Sequence, residues 1–119
     1  MIKIKIFRDD LGFMNRYTIL GHANYKAYGE DIVCAAVSIL GHTALRSLVE
    51  VCKLEEKEIS YKVDDETGFL DVKMLISPDD SRLKDTQIIF KNLAVGIKSL
   101  VESYPKYVTL EYRGGVMNA

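Results

Sequence analysis

The sequence predicts an α+β fold: a two-layer sandwich in ββαββαβ order, with two long helices packed on a mixed or antiparallel sheet. Three observations lead there. Ile2, Ile4 and Ile6 alternate with Lys3 and Lys5, the period of a half-buried strand. Two long stretches, residues 29 to 52 and the run from Ser77 to Tyr104, carry helical patterns. Clusters such as Asp9-Asp10-Leu11-Gly12 and Asp64-Asp65-Glu66-Thr67-Gly68 supply turns between short alternating runs.

Taken in order, the first strand turns at Asp9 to Gly12, and Phe13 to Leu20 returns as its hairpin partner. Residues 21 to 29, bounded by glycines and without a sustained period, read as a loop. The helix that follows has no proline, is rich in alanine and leucine, and ends near Lys53. Ile59, Tyr61 and Val63 then alternate with polar residues, and Phe69 to Ile76 runs back as a second hairpin. Ser77-Pro78-Asp79-Asp80 offers a cap, a proline and first-turn acids for the second helix, whose stripe is Thr86, Phe90, Leu93, Ile97, Leu100 and Tyr104. Pro105 stops it. Val108, Leu110 and Tyr112 alternate with Tyr107, Thr109 and Glu111 in a last strand.

At 119 residues, the chain has room for one core, so residues 1–119 are expected to form a single domain. The composition, 48% hydrophobic and 28% charged, excludes a disordered chain. Sixteen basic against seventeen acidic residues give no strong positive field, so direct nucleic-acid binding is not expected. The longest apolar run falls short of the ~20 residues that cross a bilayer, and MIKIKIFRDD is no signal-peptide core. These features predict a cytoplasmic protein without a membrane partner.

The two cysteines, Cys34 and Cys52, match no metal-binding spacing, and on one straight helix they would stand about 27 Å apart. They neither bridge nor share a metal. On the helical wheel Val33, Val37, Leu40, Ala44 and Val51 define the core stripe, and Asp31 and Ser38 lie on the other side of Cys34. Cys34 thus borders the buried stripe and a small polar strip. Near the helix start, free backbone N–H groups and the dipole favour a thiolate and can bind an oxyanion. His22 closes the second strand, and the short connection to the helix brings it toward Cys34. A thiol and an imidazole so placed are the nucleophile and base of acyl transfer.

Gly21-His22-Ala23, followed by Gly29-Glu30-Asp31-Ile32-Val33-Cys34-Ala35-Ala36-Val37-Ser38, resembles the signature of the bacterial ribosomal-processing cysteine protease family Prp. Length and element order are similar along the whole chain. The resemblance implies an endopeptidase that removes the N-terminal extension of a large-subunit ribosomal protein, number twenty-seven, after an aromatic residue. It assigns Cys34 and His22 as the catalytic pair, with Asp31, Ser38, Gly21 and Ala23 as supporting or pocket residues. It implies a precursor ribosomal protein as peptide substrate, a homodimer, and no metal or organic cofactor. Asn24, Tyr25, Lys26 and Tyr28 are the expected substrate-binding loop, with Ala27 between them.

Two other functions compete. A non-catalytic ribosome- or RNA-associated module would use Lys3, Lys5, Arg8 and Arg16 as a basic patch, although an interleaved aromatic and basic motif is missing. A redox thiol protein would need a resolving partner for Cys34, which the sequence does not supply nearby. His42 is expected to be a surface or interface residue, Cys52 a structural or partly exposed spare thiol, and the acids at 64 to 66 a solvated turn. Ala35, Ala36 and Ile39 add apolar surface away from the main stripe for the second helix or a dimer, with plain core contact the favoured expectation.

Overall fold

The computed structural model describes residues 1–23 and 31–115. Strands β1 (Ile2–Arg8) and β2 (Met14–Leu20) form the first hairpin, and helix α1 (Ile32–Glu50) follows. A single 3-10 turn at Glu56–Glu58 leads to β3 (Ile59–Asp64) and β4 (Phe69–Met74), then α2 (Leu83–Ser103) and β5 (Val108–Gly114). The five strands make one open sheet in the order β3-β4-β2-β1-β5. It is mixed, since β5 runs parallel to β1 while every other pairing is antiparallel.

Alternation decides which face is dry. Ile4, Ile19 and Leu70 are register partners across three strands, as are Ile6, Tyr17 and Val72, and all six are buried on the side that the helices cover. Lys3, Lys5, Arg16, Asp71 and Lys73 occupy the opposite, open face, where Arg16 makes two bonds to Asp71 at 2.9 and 2.8 Å. Asp9 holds the first turn by accepting from the N–H groups of Leu11 and Phe13, both at 2.9 Å.

Helix α1 sits close on β2 and β4 because Gly41 faces them without a side chain. A Cβ there would collide with Ile19 and come within 3.1 Å of Leu70. Tyr17, whose hydroxyl is held protonated by burial, donates to the Gly41 carbonyl at 2.7 Å. Its ring meets Phe90 of α2 edge-on, 5.8 Å between centroids, so one tyrosine ties both helices to the sheet.

Several expectations shift. The buried stripe of α1 is Val33, Val37, Gly41, Ala44 and Leu48. Leu40 turns instead toward Gly96 of α2, and Val51 is 63% exposed because the helix has ended at Glu50. Ala35 is exposed and Ile39 is 64% exposed, so neither makes the core contact expected of it. The second helix starts at Leu83, well after Pro78. Arg82 is the reason: it is clamped to Asp80 at 2.7 Å and Glu58 at 2.6 Å and donates to the Lys53 carbonyl, tying residues 80 to 82 to the α1–β3 connection. The same guanidinium holds the Asp80 carboxyl down at about 2. Cys52, 2% exposed, is a core thiol.

By length and composition α1 is apolar enough to cross a bilayer, which corrects the reading that no segment qualifies. In this fold its stripe is spent on the sheet. Replacing Phe90 by Ala removes the ring that joins α2 to Tyr17, and the expected loss is about 3–5 kcal/mol of unfolding free energy, read from urea denaturation.

Candidate active site

Cys34 lies three residues beyond Asp31, the N-cap of α1. Asp31 Oδ1 accepts from the backbone N–H groups of Val33 and Cys34, both at 3.0 Å, satisfying two of the donors that open the helix. Its second oxygen, Oδ2, accepts from the Cys34 thiol at 3.4 Å. One carboxylate therefore starts the helix and holds the sulfur.

From the other side, the Ala23 N–H donates to Cys34 Sγ at 3.2 Å. That nitrogen belongs to the peptide unit joining His22 to Ala23, so the His22 backbone lies next to the sulfur. The expected meeting of strand end and helix start is thus made through main chain. Ala23 itself is 2% exposed and anchors this junction in the core.

The Cys34 pKa is raised above its ordinary value, first by burial and then by Asp31, which accepts from the neutral thiol and repels the thiolate, while the Ala23 N–H opposes the shift. Burial and Asp31 thus act against the thiolate that the helix start was expected to favour. Two of the N–H groups credited with that effect, those of Val33 and Cys34, are occupied by Asp31. The Ala23 N–H is the donor aimed at the sulfur.

His22 is placed by the β3–β4 turn. Its Nε2 bonds the Glu66 carbonyl oxygen at 2.9 Å. A carbonyl only accepts, so Nε2 carries the proton and the lone pair of the neutral ring falls on Nδ1. Gly68 permits this packing: at φ +66° it lies where L side chains are strained, and a Cβ would strike the Gly21 carbonyl and approach His22 Cε1 to 3.1 Å. Gly21, at φ +103°, turns the chain out of β2.

His22, Asp31 and Cys34 line a cleft of about 780 Å³ together with Gly21, Ser38 and His42. Its opposite wall is Val63 to Glu66, with Ile19, Phe69 and Leu70 below. The structure thus gathers His22, Cys34, Asp31, Gly21 and Ser38 at one site and puts Ala23 behind it. His42 is exposed as expected, but on the cleft wall. Asn24, Tyr25, Lys26 and Tyr28 lie outside the described residues. The part played by Glu66 and Gly68 was missed in the sequence, where residues 64 to 68 read as a solvated turn. Only the obligatory turn glycine signalled it.

An apolar-floored cleft with a cysteine and a histidine on adjoining segments is the site of a thiol hydrolase, and the comparisons with known proteins specify a cysteine protease. The family model for the cysteine protease Prp matches residues 1–109, and the chain belongs to that family. The ribosomal processing cysteine protease Prp of Staphylococcus aureus is 26% identical over 113 residues, covering 95% of this chain and 100% of that protein. The Bacillus subtilis protein of the same name is 23% identical over 105 residues, covering 87% and 90%. Among solved structures, the S. aureus protease with a covalently linked product peptide superimposes with a TM-score of 0.78 at 24% identity, covering 95% of this chain and 100% of that one. The same protease with a substrate peptide gives 0.75 at 23%, with the same coverage. A Streptococcus mutans protein gives 0.76 at 29%, covering 96% and 95%.

Asp31→Asn keeps a side-chain oxygen for the helix cap and removes the charge beside the sulfur. The pH profile of Cys34 alkylation is expected to move to lower pH in this variant; an unmoved profile would deny Asp31 its hold on the thiol.

Proposed function

We propose that this protease removes the N-terminal extension of a large-subunit ribosomal protein, number twenty-seven, cutting after an aromatic residue, with Cys34 as nucleophile and His22 as base. The observation that carries this reading is the Cys34 thiol, bonded by the Ala23 N–H next to His22, inside a cleft of peptide dimensions. The relatives named for ribosomal processing, and the peptide complexes of one of them, support the substrate class.

The chemistry is a balanced acyl transfer. His22 Nδ1 takes the thiol proton as sulfur attacks the scissile carbonyl, and the Ala23 N–H donates to the oxygen that gains charge. The imidazolium gives that proton to the leaving amine as the C–N bond breaks, leaving the extension on sulfur as a thioester. Water, deprotonated by His22, then attacks the thioester and restores the thiol. Glu66 holds the imidazole in the tautomer this sequence needs by accepting from Nε2–H. Asp31 and Ser38 shape the cleft beside the sulfur, and Gly21 and Ala23 fix the strand end that carries His22.

The protein works in this reading as a cytoplasmic homodimer of single domains, and direct nucleic-acid binding has no part in it. Ile39 and Val95, 64% and 61% exposed on the helix layer, supply apolar surface for a second copy. Incubation with an N-terminally extended precursor peptide, followed by mass spectrometry, is expected to yield one cut after an aromatic residue. Cys34→Ala and His22→Ala should each lower the rate by about a thousandfold or more with the fold retained. Full activity in folded Cys34→Ala would remove the mechanism.

A further inference from the structure

We propose that the peptide substrate is held as an added strand on the free edge of β3, through the outward backbone groups of Tyr61 and Val63. The inference rests on the reading above that an extended peptide is what the cleft cuts.

Strand β3 is one edge of the sheet, bonded to β4 alone among the described strands. Which of its backbone groups remain outward follows from the phase of the ladder. The Leu75 N–H donates to the Glu58 carbonyl at 2.8 Å, and Ile59 is the register partner of Met74, so residue 58 stands opposite 75 in a hydrogen-bonded pair. Bonded pairs alternate along an antiparallel ladder. Ser60, Lys62 and Asp64 therefore exchange bonds with Lys73, Asp71 and Phe69, while the N–H and C=O groups of Ile59, Tyr61 and Val63 point away from β4.

The side chains of the same residues face the cleft side. Tyr61 stands opposite Val72 and Val63 opposite Leu70, and both partners are buried beneath the helices. Tyr61 and Val63 themselves are 48% and 46% exposed, because the helix layer does not reach the edge. Val63 and the turn after it line the cleft that holds Cys34, and Ala35, Ser38 and His42 of α1 line the facing wall. A groove with a helix on one side and an unpaired strand on the other fits an extended chain: its backbone pairs with β3 and alternate side chains pack on Val63 and Tyr61. The opposite edge, β5, contributes no residue to the cleft. Exposed apolar edge strands invite non-specific pairing. Here the edge leads to the nucleophile, which gives the exposure a use.

The test is a backbone N-methyl scan of a cleavable precursor peptide, leaving the scissile amide unmodified. Methylation at alternate positions on the β3 side is expected to lower kcat/KM by about tenfold or more, with intervening positions within about twofold of the parent. Val63→Pro deletes an outward N–H and no bond to β4, so it is expected to raise KM about tenfold while still melting cooperatively. Val63→Ala separates the side-chain contribution. Penalties that do not alternate, or a folded Val63→Pro with wild-type KM, would overturn the pairing while leaving the protease reading intact. Failure of the wild-type protein to cut any extended precursor peptide would overturn both.

Discussion

The Asp31 carboxylate is the contact on which the site depends. It closes the N-terminus of α1 with two backbone bonds and accepts a hydrogen bond from the Cys34 thiol with its other oxygen. The helix therefore begins one turn before Cys34, at a cap that also bonds the sulfur. Burial and this neighbouring carboxylate both oppose the thiolate. The proposed proton transfer to His22 has to overcome that opposition.

The rest of the fold serves the meeting of three chain segments. Gly41 lets α1 lie close on β2 and β4, which fixes the height of Cys34 above the sheet. The Ala23 amide brings the end of β2 against the sulfur, and the turn after β3 reaches over to hold the imidazole through Glu66. Gly68 makes that last approach possible, since any side chain there would occupy the space of the Gly21 carbonyl. Two of these three joints are made by backbone groups, so side-chain chemistry alone does not describe the site.

That division explains what could be read in advance. The alternation of Ile2, Ile4 and Ile6 and the stripe through Phe90, Leu93 and Ile97 are periodic signals of burial, and all six residues are buried. The Gly-His-Ala and Asp-Ile-Val-Cys segments carried the family, which the match over residues 1–109 bears out. The early end of α1, which exposes Val51, and the late start of α2 were not legible. The first is a helix terminus, where periodicity fades; the second comes from Arg82 binding Glu58, a partner twenty-four residues away. The grip of the Glu66 carbonyl on His22 left no mark either, because a main-chain acceptor is available at every position and only the fold selects one. Asp31 was legible as a residue of the site, but its bonds to the Val33 and Cys34 N–H groups and to the thiol were not.

The central claim is that Cys34 carries the acyl group of the substrate between two chemical steps. Intact-mass spectrometry of the protein, acid-quenched during turnover of an extended precursor peptide, tests this directly. The expected result is an adduct on Cys34 equal to the released extension less one water, absent from Cys34→Ala. Steady release of both products with unmodified protein at every time point, and the same products from Cys34→Ala, would contradict it.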